Sequence, residues 1–320
     1  MTPSQSTHHV MMIRPVNFTG NEQTRASNQF QSNEILQPPE IIQQKALQEF
    51  EGLVQLLQEA GIKVSVWDDT PSPPTPDSIF PNNWVSFHVD GTVVLYPMLA
   101  INRRLERRMD LLKGLEKQGL KISNLIDLTT HESQEKYLEG TGSMVLDRVN
   151  RIVYACLSPR THLELLQVFA ETIDYQLLAF NANDVNGFPI YHTNVMLCIG
   201  SQFAVVCAEV IAEDERDTVL HSLQKTGHVI VDISASQMAA FAGNMLELKT
   251  QAGDQCVVLS QSAFDALSVL QLELLQSLGG QLLVAPIPTI ERYGGGSVRC
   301  MLAEIFLPQV SASDSQAPLC

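Results

Sequence analysis

The 320-residue chain is short of cations: 20 Lys and Arg stand against 35 Asp and Glu, a formal net charge of -15. Nucleic acid and anionic membrane both attract clustered Lys and Arg, so this balance argues against either as a partner. The one basic cluster, Arg103-Arg104 with Arg107-Arg108, has helical spacing and reads as a solvated helix face. Long apolar runs are also missing. The longest stretch, 195–212, is interrupted by Gly200-Ser201-Gln202 and by Glu209, so it reads as two strands and not as a membrane span. The first nine residues are polar and lack the apolar core of a secretory signal. Six cysteines, at 156, 198, 207, 256, 300 and 320, include no CxxC or other metal spacing. Four of them lie in apolar, strand-like runs, which predicts reduced thiols and a cytoplasmic protein without a disulfide frame. The length allows one large domain or two ordinary ones, and 45% hydrophobic residues suffice for a sizeable core.

What is present is a recurring unit: an amphipathic helix, usually a glycine stop, then a short apolar strand. Helices are predicted at 40–60, 102–118, 160–174, 214–226 and 262–278. The strands they feed are 62–67, 120–127, 176–180, 228–233 and 281–285. Glycine suits the left-handed residue after a helix end. The stops at Gly61, Gly119, Gly227 and Gly279 are 58, 108 and 52 residues apart, with Tyr175 where the missing one should stand. Strand pairs lie between the helices, such as 84–89 with 92–97 across Asp90-Gly91, and 143–146 with 151–156. Five such units predict an α/β ring of ββαβ modules, a single domain over 1–310 with a central site. Residues 311–320 read as a flexible polar tail. Residues 70–76 hold four prolines in seven positions, a stiff non-helical loop that delivers the segment after it.

Four segments carry chemistry. Arg292-Tyr293-Gly294-Gly295-Gly296-Ser297-Val298-Arg299-Cys300 puts a cysteine after flexible backbone and beside two arginines that favour its thiolate, with an apolar strand (301–306) after it. Leu138-Glu139-Gly140-Thr141-Gly142-Ser143 opens a strand and not a helix, so its Gly-x-Gly lacks the helix-dipole logic of a phosphate loop; it suits a carboxylate aimed into a pocket. Tyr191-His192-Thr193-Asn194-Val195-Met196 heads an apolar strand on which His192 and Asn194 would share a face. Asp77-Ser78-Ile79-Phe80-Pro81-Asn82-Asn83-Trp84 offers a hydrogen-bonding clamp.

A late Gly-Gly-Gly-x-x-x-Cys, a mid-chain Glu-Gly-x-Gly, a following His-x-Asn and an early Asp-x-x-Phe-x-x-Asn occur in one order along nearly the whole chain. Together they resemble the guanidine-modifying superfamily of amidinotransferases, arginine deiminases and dimethylargininases. The resemblance implies the five-bladed α/β propeller, or pentein, in agreement with the five-unit count. It implies Cys300 as nucleophile, His192 as general acid/base, and Glu139 as the carboxylate that orients His192 or holds a substrate nitrogen. Members acting on arginine carry acidic residues where this chain has Asn83 and Asn194.

That departure bears on the substrate. A buried guanidinium needs opposite charge to offset its desolvation, whereas a neutral ureido group needs donors and acceptors, which Asn supplies. The pair therefore points toward citrulline, and the Asn-Asn-Trp and Tyr-Gly-Gly-Gly-Ser-x-Arg-Cys segments resemble citrulline-hydrolysing members, the citrulline ureidases. Thiolate-stabilising charge would come from His192, Arg299 and the glycine-loop N–H groups. Arg103 or Arg292 would hold the α-carboxylate and Asp77 the α-amine. No metal or organic cofactor is implied. Rivals are an arginine deiminase or dimethylargininase, an amidinotransferase, and a non-enzymatic pentein binding protein. A small amino acid is the expected partner, and a homo-oligomer is possible from these data.

Overall fold

The computed structural model describes residues 4–32, 34 and 36–310, so the expected tail at 311–320 lies outside the described residues. Among the described residues the chain forms five sheets of three strands each. In each sheet an antiparallel pair is followed by a crossover helix and a third strand parallel to the second. The second module runs β3 (Val85–Phe87), β4 (Thr92–Leu95), α2 (Met109–Lys117) and β5 (Asn124–Asp127). The third runs β6 (Val145–Asp147), β7 (Ile152–Cys156), α3 (Leu163–Thr172) and β8 (Gln176–Phe180). The fourth is β9 (Leu197–Ile199), β10 (Phe203–Val206), α4 (Glu213–Lys225) and β11 (Val229–Asp232). The fifth is β12 (Leu246–Lys249), β13 (Gln255–Ser260), α5 (Val269–Gly279) and β14 (Gln281–Ala285). The first is completed by the chain's two ends: β1 (His9–Arg14), α1 (Pro39–Glu59) and β2 (Lys63–Asp68) take as first strand β15 (Ala303–Glu304). The two ends of the chain thereby meet in one sheet of the five-bladed propeller.

Local sequence explains these elements. Helix α1 starts with proline in its first turn, where a missing N–H costs nothing, and buries Ile42, Ala46, Phe50, Leu53, Val54 and Leu57 at helical spacing. Helix α5 begins at a Ser268–Gln271 capping box. The left-handed stops are Gly61, Gly119, Asp174, Gly227 and Gly280, spaced 58, 55, 53 and 53 residues apart. The third unit thus ends on Asp174 and not at Tyr175, and the fifth on the second glycine of its pair. The repeat is more regular than the glycines alone suggested. Strands β3, β6, β9 and β15 are buried throughout, while β5 and β11 are largely exposed. The first strand of each module therefore lines the axis and the third forms the rim.

Several expected elements are shorter or broken. The helix expected at 102–118 is a 3-10 turn, Asn102–Glu106, then α2. Its basic cluster is not one solvated face: Arg103 is 2% exposed, and Arg104 and Arg107 pair with Glu132. The helix expected at 262–278 breaks between Gln261–Ala266 and α5. Where strands were expected to begin, tight helical turns intervene: Pro81–Asn83, Gly140–Ser143, Thr193–Val195 and Val298–Met301. The apolar residue ending each turn (Trp84, Met144, Met196 or Leu302) is buried, as is Met245 ahead of β12. These turns touch one another around the axis, and that ring carries the site.

Candidate active site

Cys300, His192, Asn83, Asp77 and Arg103 line one narrow cavity at the axis, roofed by Gly294, Gly295 and Gly296. Cys300 lies in the turn before β15 and is 3% exposed. Two amides face its sulfur: Asn194 Nδ2 at 3.5 Å and Asn244 Nδ2 at 3.4 Å. His192 and Asn194 do not share a strand face. They stand at the start of the Thr193–Val195 turn, which sends His192 to the cavity and Asn194 to the sulfur.

His192 Nε2 meets Glu139 Oε2 at 2.8 Å. Burial would raise the Glu139 carboxyl, but Arg160, the His192 hydrogen bond and Arg103 outweigh it and hold it well below the usual range. An ionised carboxylate only accepts, so Nε2 carries the proton and Nδ1 is the free base. Burial lowers His192 to about 4 against the pull of Glu139, so the resting imidazole is neutral. Glu139 stands before a one-turn helix and not, as expected, directly on a strand. Gly142 in that turn makes the arrangement possible. A Cβ there would lie 2.4 Å from Asn83 Nδ2 and 2.7 Å from His192 Nδ1. Any side chain would push the amide and the imidazole apart.

The Asn83 amide is oriented by its partners. Arg103 Nη1 donates to its Oδ1 at 2.8 Å, while Nδ2 donates one hydrogen to Asn82 Oδ1 at 3.0 Å and lies on the Gly142 and His192 side. Arg103 itself is held by both oxygens of Glu106, each at 2.9 Å, and lies 3.7 Å from Asp77. Burial pushes Glu106 up to about 8 despite Arg103. Burial also raises Asp77, whose Oδ2 accepts from Asn21 at 2.7 Å and whose Oδ1 is buried without a partner.

Two expectations fail. Arg292 lies outside the cavity, with 43% of its side chain exposed and Glu34 as its partner. Arg299 turns away from Cys300: its guanidinium donates to Leu302 O and Glu304, each at 2.8 Å, toward the far end of the axis. A residue adjacent in sequence points to the opposite side of a tight turn, so sequence proximity misled. Conversely, Arg160 and Asn244 were not foreseen. Arg160 lines the cavity, contacts Glu139 at 3.3 Å, lies over the Tyr191 ring, and has an Nε without a partner. Its only sequence signal was an arginine at the first position of the helix predicted over 160–174. Asn244 was legible only by aligning the fifth module's turn with the others. Cys156, Cys198, Cys207, Cys256 and Cys300 are all free, whereas Cys320 lies outside the described residues. No described helix is long and apolar enough to cross a membrane.

Comparisons with known proteins bear on this arrangement. No curated protein matches the chain by sequence. Solved structures match by fold. The N-terminal domain of ArgZ, an arginine dihydrolase from the ornithine–ammonia cycle in cyanobacteria, solved with substrate bound, matches with TM-score 0.71 at 17% identity, covering 93% of this chain and 99% of that one. Unliganded AgrE matches with TM-score 0.73 at 18% identity, over 95% of this chain. The chain spans only 41% of ArgZ in its longer form and 40% of AgrE. A dimethylarginine dimethylaminohydrolase held as an adduct with S-methyl-L-thiocitrulline matches with TM-score 0.62 at 13% identity, covering 93% and 99% of the two chains. These likenesses show the pentein fold. A family model described as N,N dimethylarginine dimethylhydrolase, eukaryotic, matches residues 14–307. Nearly the whole ring of modules is thus accounted for, and the chain belongs to that family of the pentein guanidine-modifying superfamily, whose members are hydrolases of carbon–nitrogen bonds.

Proposed function

We propose that the protein hydrolyses the ureido group of L-citrulline to L-ornithine, carbon dioxide and ammonia through a covalent Cys300 intermediate. The observation that carries this reading is the orientation of Asn83. Its oxygen is committed to Arg103 and one N–H to Asn82 Oδ1 at 3.0 Å, so its second N–H is left on the Gly142 and His192 side of the cavity. A guanidinium has only donors, so it cannot accept from this N–H. A ureido carbonyl is an acceptor and accumulates charge as the carbon is attacked.

The thiol proton passes to the free Nδ1 of neutral His192, and the sulfur attacks the ureido carbon. Glu139 stabilises the imidazolium that forms. That imidazolium then protonates the departing δ-nitrogen as its bond to carbon breaks, leaving a carbamoyl thioester. His192 next draws a proton from water, whose oxygen displaces the sulfur. The carbamate released breaks down to carbon dioxide and ammonia. The orphaned Asp77 Oδ1 suits the α-amine, and the orphaned Arg160 Nε suits the α-carboxylate. Arg103 keeps Asn83 and Glu106 in place.

A second reading has one observation in its favour. The acidic side chains Asp77, Glu106 and Glu139 outnumber the basic Arg103 and Arg160 around the cavity, which favours a cationic substrate such as arginine or its methylated forms. Incubation with citrulline, arginine, dimethylarginine and agmatine, with ornithine, citrulline and ammonia assayed separately, decides. Ornithine from citrulline, lost in Cys300→Ala, supports the proposal. Citrulline accumulating from arginine, with no ornithine from citrulline, refutes it.

A further inference from the structure

We infer that Asn244 positions the Cys300 sulfur and stabilises its thiolate, a part that sequence adjacency would have given to Arg299. The inference rests on Cys300 being the nucleophile. Asn244 is fully buried, and every polar atom of its amide is engaged. Its Oδ1 accepts from the backbone N–H of Arg299 at 3.2 Å, and its Nδ2 donates to Asn194 O at 2.9 Å. These two anchors fix which end of the amide is which, because a backbone N–H needs an acceptor and a carbonyl needs a donor. The remaining Nδ2 hydrogen points at Cys300 Sγ, 3.4 Å away. Both amides lie along the sulfur, Asn244 Oδ1 at 3.7 Å and Asn194 Nδ2 and Oδ1 at 3.5 and 3.9 Å, but only the Asn244 amide is anchored by backbone groups.

The sequence builds this contact through a glycine. Gly243 lies so close to the neighbouring module that a Cβ would stand 2.4 Å from Val195 O. Its bare backbone lets the turn before β12 press against the turn before β9, which brings Asn244 to the sulfur of a third module. A donor to an ionised acceptor is roughly twice as strong as one between neutral groups, so this amide favours S⁻ over SH. That suits a site whose adjacent arginine is committed elsewhere.

The test is the pH dependence of Cys300 alkylation by iodoacetamide, read by intact mass, in the parent and in two variants. Asn244→Asp keeps the acceptor for the Arg299 N–H but removes both Nδ2 donations and adds a negative charge beside the sulfur. Asn244→Ser removes the amide donor without adding charge, so its alkylation midpoint decides, with the folding of both variants judged by thermal melting. The inference predicts that half-alkylation moves up by about one pH unit or more, and that kcat falls at least about tenfold with KM within about twofold. An unmoved alkylation midpoint in a folded variant overturns it. Full turnover in Cys300→Ala would instead overturn the nucleophile reading, so the two failures are told apart.

Discussion

The two ends of the propeller axis are both charged and buried, yet they are wired differently. At the far end, Arg299 and Arg148 share Glu304, and the Gln5 side chain donates to Leu146 O and Ile199 O while accepting from Arg148 N. Apart from Ser6 Oγ and one oxygen of Glu247, the polar atoms there are spent on one another. At the Cys300 end, Asp77 Oδ1 and Arg160 Nε have no partner, and the amides of Asn83 and Asn244 are locked by partners that leave an N–H facing inward. Self-satisfied charge holds modules together. Oriented, unsatisfied polarity awaits a ligand. Cys300 and Arg299 are neighbours in sequence and belong to opposite ends.

The comparison can be broken by substitution. The largest effect is expected at the open end: Glu139→Gln should cut kcat by about 10²–10⁴-fold, since His192 loses the carboxylate that fixes its tautomer. A loss under tenfold would remove Glu139 from the mechanism. At the far end, Glu304→Gln leaves Arg299 and Arg148 without their carboxylate. It should cost about 3–5 kcal/mol in denaturant unfolding, with kcat/KM of the folded fraction within about twofold. A large loss of kcat at full stability would show that the two ends are not separable.

Acid sharpens the same contrast. Burial holds His192 near 4, so kcat/KM should keep its neutral base until pH approaches about 4 and fall below that. An acid limb near 6.5 would show an imidazole without this burial. The smallest effect is expected for Arg292→Ala, whose side chain is exposed and away from the cavity. KM should stay within about twofold, and a tenfold rise would restore Arg292 as a carboxylate anchor.

Much of this arrangement was legible in the sequence because the repeat is local. Helix stops, hairpin turns and apolar strands recur with a mechanism at each position, and Asp174 was missed only because it takes a left-handed conformation without being glycine. Cys300, His192, Glu139, Asn83 and Asp77 were legible because polar residues at the heads of apolar strands stand out. Side-chain direction was not. Whether Arg103 faces solvent or Glu106, and whether Arg299 faces Cys300 or Glu304, depends on single-turn helices whose length hydrophobic periodicity cannot resolve. Asn244 and Arg160 come from modules that meet the sulfur and Glu139 only once the ring has formed.

The central claim is that the inward N–H of Asn83 selects a urea carbon. It is tested most directly by the ratio of kcat/KM for citrulline to that for arginine, in the parent and in Asn83→Asp. The account predicts a ratio above one in the parent that falls at least about tenfold in the variant, since an ionised Asp offers only acceptors. A ratio that is unchanged, or that rises in Asn83→Asp, would contradict it.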